Sequence, residues 1–170
     1  MRTLFSRKQF LALTGGSLAA LIVGAPEELP SQTPTTRPPK GDPLPTELVK
    51  EWVGKAHKDL EGVKKLFAQE PRLLNASFDH GGGDFESALE AAGHVGNREI
   101  AEFLLSHGAR MNVFCAAMLG ELKLVKATLK AFPELKTSGG PHGLKLIHHA
   151  KKGGERAKAV LRYLESIGAE

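Results

Sequence analysis

Ser87-Ala88-Leu89-Glu90-Ala91-Ala92, followed by Gly96-Asn97 and by Leu104-Leu105-Ser106-His107-Gly108-Ala109-Arg110-Met111-Asn112, is the stretch whose punctuation decides the fold. Apolar residues at helical spacing run from about Glu86 to Val95, and Gly96 stops that run as a left-handed helix end does. Asn97 is placed to cap a second helix carrying Ile100, Phe103 and Leu104, and Gly108 stops that one in turn. One unit of two short helices is therefore written between residues 86 and 108.

The same unit recurs. Shifting Ser87–Ala92 forward by 58 places it on Lys145-Leu146-Ile147-His148-His149-Ala150, and Gly96 meets Gly154. After a two-residue insertion, Leu104 meets Leu164 and Gly108-Ala109 meets Gly168-Ala169. A second pair interleaves at a shift of 62, in which Trp52 meets Phe114, Leu60 meets Leu122, Val63 meets Val125 and Pro71 meets Pro133. The order is ABAB, four units in all. Repeats of this length mean stacked helix pairs, since one pair cannot bury its own apolar face. Unit one reads as Thr46, a helix N-cap, then Leu48, Val49, Trp52, Val53 and Ala56. Asp59 caps the next helix, with its stripe Leu60, Val63, Leu66 and Phe67, and Pro71 ends it. Unit three runs from Asn112 as cap through Phe114, Ala117 and Met118 to Gly120, then Leu122, Val125 and Leu129. Unit four carries Ile147, Ala150, Gly154, Val160, Leu161 and Leu164.

Unit two resembles the ankyrin repeat position by position: Ser87–Ala92 stands for Thr-Pro-Leu-His-x-Ala, Gly96-Asn97 for Gly-His, and Leu104–Asn112 for Leu-Leu-x-x-Gly-Ala-x-Val-Asn. Unit four keeps Ile147-His148-His149-Ala150 and Gly168-Ala169 of the same pattern. The resemblance covers most of residues 46–170 and implies an all-α, ankyrin-like solenoid of about four helix-turn-helix repeats. It also implies a non-catalytic function of binding a protein partner along a concave face. There are departures. Unit three starts directly after Asn112, leaving no room for the finger turn that precedes a first helix, and units one and three have Pro71–Asn75 and Pro133–Leu135 where Gly-Ala is usual.

Placement within the repeats selects the expected partner surface: His80, Asp84 and Phe85 in the finger, His94 and Val95 on the first helix, and their equivalents Met118 and Leu119. Met118 and Leu119 have two readings, an exposed apolar patch beside the missing finger or a pair over which units two and four close.

The same residues admit chemical alternatives. Gly81-Gly82-Gly83 lacks a preceding strand, GxGxxG spacing and a following Lys-Ser or Lys-Thr, and reads as a turn needing positive φ. His80, Asp84, Glu86, Glu90 and His94 lie close in sequence, with Glu90 and His94 four apart on one helical face, as metal ligands can be. Carboxylates and histidines on an exposed helix are usually solvated, so no metal, cofactor or catalytic residue is expected. The competing reading is a metal-dependent exported enzyme using the His80 to His94 cluster, and a structural spacer is a third. His148 occupies the repeat's histidine position and is expected to stabilise a turn; His142 lies in a finger. Cys115 aligns with Val53 and reads as core, and so does Trp52 opposite Phe114.

Outside the repeats, residues 1–25 open with Arg2, Arg7 and Lys8 and turn apolar through Phe10, Leu11, Leu13, Leu18, Leu21, Ile22 and Val23, the layout of an export signal. Ser6-Arg7-Lys8-Gln9-Phe10-Leu11 resembles the bacterial twin-arginine motif with Lys8 in place of the second arginine. Cleavage after Ala25 and retention as a membrane anchor are both open, because Pro26 follows at once. A proline-rich linker spans 26–45. The expected location is periplasmic or exported, with any membrane contact through the leader alone. The formal net charge of +4 is partly held in the leader and linker, too little over the remaining domain for a nucleic-acid partner. A basic run from Lys145 to Arg162 reads as a solvated face.

Overall fold

The computed structural model describes residues 41–169. The expected export signal at 1–25 and most of the linker at 26–45 lie outside the described residues. Among those described, the chain is mostly helical: α1 (Thr46–Ala56), α2 (Leu60–Gln69), α3 (Ala88–Val95), α4 (Arg98–Ser106), α5 (Val113–Leu119), α6 (Leu122–Ala131), α7 (Leu146–Lys152) and α8 (Lys158–Ser166). The all-α expectation agrees with this in the main, with one addition: β1 (Ser77–Asp79) and β2 (Phe85–Ser87) form a small antiparallel hairpin before α3. No helix among the described residues is long and apolar enough to cross a membrane.

Local chemistry fixes the helix ends. Asp59, Asn97 and Asn112 each accept a hydrogen bond from the backbone N–H three residues on, at 2.8, 3.2 and 2.8 Å, which satisfies a donor the first helical turn leaves free. Gly96 and Gly120 end α3 and α5 with φ of 85° and 83°. Thr46 is not the cap expected of it. The chain enters α1 from Pro45, whose fixed φ suits a helix start, and Thr46 is already helical. Asn112→Ala removes the cap of the short helix α5 and is expected to cost about 1 kcal/mol, read as a lowered midpoint in thermal unfolding; an unchanged midpoint would show the cap to be idle.

The first helices of the four pairs lie side by side in the order α1, α3, α5, α7, and α3 also touches α7. Small residues permit this spacing: Ala88, Ala91, Ala92 and Gly93 of α3, Ala116 and Ala117 of α5 and Ala150 of α7 are all buried. At Gly93 a Cβ would stand 3.5 Å from the Cys115 Cα, an ordinary van der Waals contact, so α3 and α5 approach as closely as small side chains allow. α5 serves two clusters from opposite faces. Cys115 and Met118 join Trp52, Leu73, Leu89, Ile100 and Leu104, while Ala116 and Ala117 join Val125, Leu146, Val160 and Leu164.

Met118 and Leu119 are thereby settled. Met118 is completely buried and Leu119 packs against the same cluster. The patch reading is corrected, because without a finger on unit three α3 and α7 come into contact and the C-terminal turn of α5 is enclosed. Arg98 holds that turn from outside, its Nη2 donating to the carbonyls of Met118 and Leu119 at 3.3 and 3.2 Å.

Candidate functional site

The hairpin and the ends of the first helices build the site. Ser87 caps α3 by accepting from the Glu90 N–H, and the Glu90 carboxylate reaches back to the Ser87 N–H at 2.8 Å, so α3 begins at Ala88. Glu86 consequently lies in β2 and not in the helix expected from about Glu86. Strand alternation then sends Phe85 and Glu86 to opposite faces. Phe85 is 58% exposed and Glu86 is wholly buried. The expectation of a solvated carboxylate fails here. Glu90 is also separated from His94 in role, since its oxygens belong to the cap.

Four histidines converge on the Glu86 carboxylate from separate elements. His80 Nε2, in the hairpin turn, lies 3.1 Å from Oε2, and His57 Nε2, just past α1, lies 3.8 Å from the same oxygen. His94 Nδ1, in the last turn of α3, lies 2.9 Å from Oε1, and His142 Nε2 lies 3.4 Å from it. His142 comes from a second finger, residues 139–145, closed by a single bridge between Gly139 and Lys145. It has φ of 59°, the sole non-glycine residue with positive φ among those described.

Asp84 holds His142 in that conformation with both carboxylate oxygens. The His142 N–H donates to Oδ1 at 2.8 Å and the ring Nδ1 lies 2.6 Å from Oδ2. This pairing keeps the Asp84 carboxyl below its usual range, chiefly through the backbone donor, and raises His142 above the ordinary imidazole range. Burial pushes Glu86 up, and the surrounding histidines, His94 first, outweigh it, so Glu86 sits below the usual carboxylate range and is ionised at neutral pH.

No family model, curated protein or solved structure matches the chain.

Of the residues expected at a partner surface, His80 and His94 belong to the cluster and Asp84 holds one of its rings, Phe85 points to the opposite face of β2, and Val95 follows His94 in sequence and is partly exposed. Met118 and Leu119 take no part. Gly81, Gly82 and Gly83 have φ of 117°, 66° and 87°, in keeping with a turn that other residues resist. His148 makes its hydrogen bond across units, from Nε2 to the His94 carbonyl at 2.9 Å, and so braces α3 against α7 and not its own turn. Cys115 is buried and its thiol is pushed up to about 12 by that burial, which removes it as a nucleophile. His57, Glu86 and His142 are cluster members that lie outside the partner surface expected from the sequence. His57 occupies the unit-one position equivalent to Leu119, and Asp84 and His142 are related by the same shift of 58 that defines the repeat. Equivalent positions on successive fingers face each other, so the repeat itself carried the signal.

Proposed function

We propose that the chain is a non-catalytic, ankyrin-like binding module, exported to the bacterial cell envelope, that recognises a protein partner along the edge formed by its fingers and first helices. The side-by-side order α1, α3, α5, α7, with a hairpin projecting ahead of α3, is the observation that supports this reading most directly. Stacked helix pairs of this kind present a continuous outer edge, and such edges suit recognition. Export rests on the basic and apolar leader of residues 1–25.

Phe85 is the anchor of the proposed surface, a large aromatic ring 58% exposed on β2 with nothing in its own unit to cover it. Truncating an aromatic anchor at the centre of an interface costs about 2 kcal/mol, roughly thirtyfold in affinity. Capture of partners from envelope extracts by the parent protein and by Phe85→Ala tests this. Loss of one or more captured proteins from the variant is the expected result, and an identical set at identical yield would overturn the surface assignment.

A further inference from the structure

A carboxylate with no solvent exposure, ringed by imidazoles, needs positive charge close by. The hydrogen bonds behind two of the rings decide what those rings offer. His57 Nδ1 lies 3.0 Å from the Val53 carbonyl, which can only accept, so that nitrogen carries the hydrogen. His142 Nδ1 is held in the same way by Asp84 at 2.6 Å. In the neutral rings the lone pair is then on Nε2, and in both cases Nε2 is the atom turned towards Glu86. A lone pair directed at an anion is unfavourable, and the conflict is removed by a cation between them, either a proton on Nε2 or a metal ion. Glu86 Oε1 and His94 Nδ1 add a second sign, for both are buried and pair by charge at 2.9 Å without the alignment of a good hydrogen bond.

The spacing also fits an ion. Glu86 with His80 and His142, and Glu86 with His57 and His94, are two sets whose ligand atoms all lie within 4.8 Å of one another. Ligand bonds to Zn²⁺ of about 2.0–2.2 Å separate neighbouring ligands by roughly 3–3.5 Å, which small side-chain rotations reach. Two features favour the first set. Its imidazoles are about one-third exposed, at 35% and 33%, which gives an ion a way in from solvent. Asp84 behind His142 supplies the carboxylate–histidine arrangement that orients a ring for a metal.

We propose that Glu86, His80 and His142 bind a divalent transition-metal ion of the zinc class, with Asp84 positioning His142. Imidazole nitrogen with one carboxylate selects Zn²⁺, Co²⁺, Ni²⁺ or Cu²⁺ over Mg²⁺ and Ca²⁺, which prefer oxygen throughout. Three protein ligands leave the remaining coordination positions to water or to a group from outside the chain. The site goes beyond the partner-binding reading and does not depend on it.

Zn²⁺ titrated calorimetrically into chelator-treated full-length protein at pH 7.5 is the test. Saturable binding is expected, weakened about 100-fold or more in Glu86→Gln and in His142→Ala and on the order of tenfold in Asp84→Asn, with Mg²⁺ giving no heat. His107→Ala, away from the cluster, binds as the parent does. In NMR spectra of the parent, the ring resonances of His80 and His142 shift on adding Zn²⁺. Should Glu86→Gln fail to fold, the paired variant His80→Ala/His142→Ala, altered only at rings about one-third exposed, replaces it. Absence of Zn²⁺ binding by the folded parent, or equal binding by parent and folded cluster variants, overturns the site. Loss of binding in His57→Ala, with His142→Ala unaffected, overturns the choice of ligands.

Discussion

Gly153→Ala is expected to destabilise the protein by about 3 kcal/mol or more, well above the usual cost of adding one methyl group to a packed interior. Gly153 ends α7 with φ of −71°, a backbone any residue adopts, so conformational strain is not the cause. The cause is proximity. A Cβ on Gly153 would fall inside the van der Waals envelope of the Met118 carbonyl oxygen and stand 2.5 Å from the Ala157 Cβ. Neither neighbour can rotate aside, because one is backbone at the end of α5, already bonded by Arg98, and the other is a buried methyl at the start of α8. The helices themselves have to part. Gly54→Ala is the matched control: Gly54 lies within α1 with nothing within 4 Å of the new methyl, and there the exchange is expected to stabilise by roughly 0.5–1 kcal/mol. Urea unfolding of both variants measures the contrast, and similar shifts for the two would refute the close approach of α5 and α7.

Acidification supplies the second large effect, and His149 carries it. Its ring is buried against Phe114, its Nδ1 donates to the Lys145 carbonyl at 2.9 Å, and its Nε2 has no partner. Burial lowers its pKa to about 4 from an ordinary 6.5. Between those two values the unfolded chain takes up a proton that the folded chain refuses. The contribution of His149 to stability is therefore complete above pH 6.5 and is lost as the pH falls towards 4, at up to about 1.4 kcal/mol per pH unit. A loss of about 2 kcal/mol between pH 7.5 and 5 is expected from this residue. His142 opposes it, since its raised pKa gives a contribution present below 6.5 and lost as the pH rises through the folded value. In His149→Leu the acid loss should shrink by about 2 kcal/mol, measured as the difference in urea midpoints at the two pH values. An unchanged pH dependence would show that the ring accepts a proton in place.

The parts of the fold written in punctuation were the legible ones. Asp59, Asn97 and Asn112 as caps, Gly96 and Gly120 as stops, and the stripes of α2, α4 and α6 follow from local rules, because each depends on residues within one or two turns. The start of α3 was misplaced although its signal was present: Ser87-x-x-Glu90 is a capping box, and it moves Glu86 out of the helix into a strand. That two-residue difference decides whether Glu86 is a solvated side chain or the centre of the cluster. His57 and His142 were harder to see, since their approach to Glu86 depends on how three units stack, which no local pattern encodes. Met118 was open for the same reason. Its burial follows from a contact between α3 and α7, and that contact follows from a turn the sequence lacks.

The omitted finger has one more consequence. In a row of helix pairs joined only to immediate neighbours, the ends fray independently and the array melts piecemeal. Here Asp84 reaches past unit three to His142, and α3 reaches past α5 to α7, so second neighbours are coupled as well as first. The last unit is thereby anchored to the second and not to the third alone. With these ties the row behaves less like a chain of links and more like a single cooperative block, in which opening the last unit must break ties reaching into the middle.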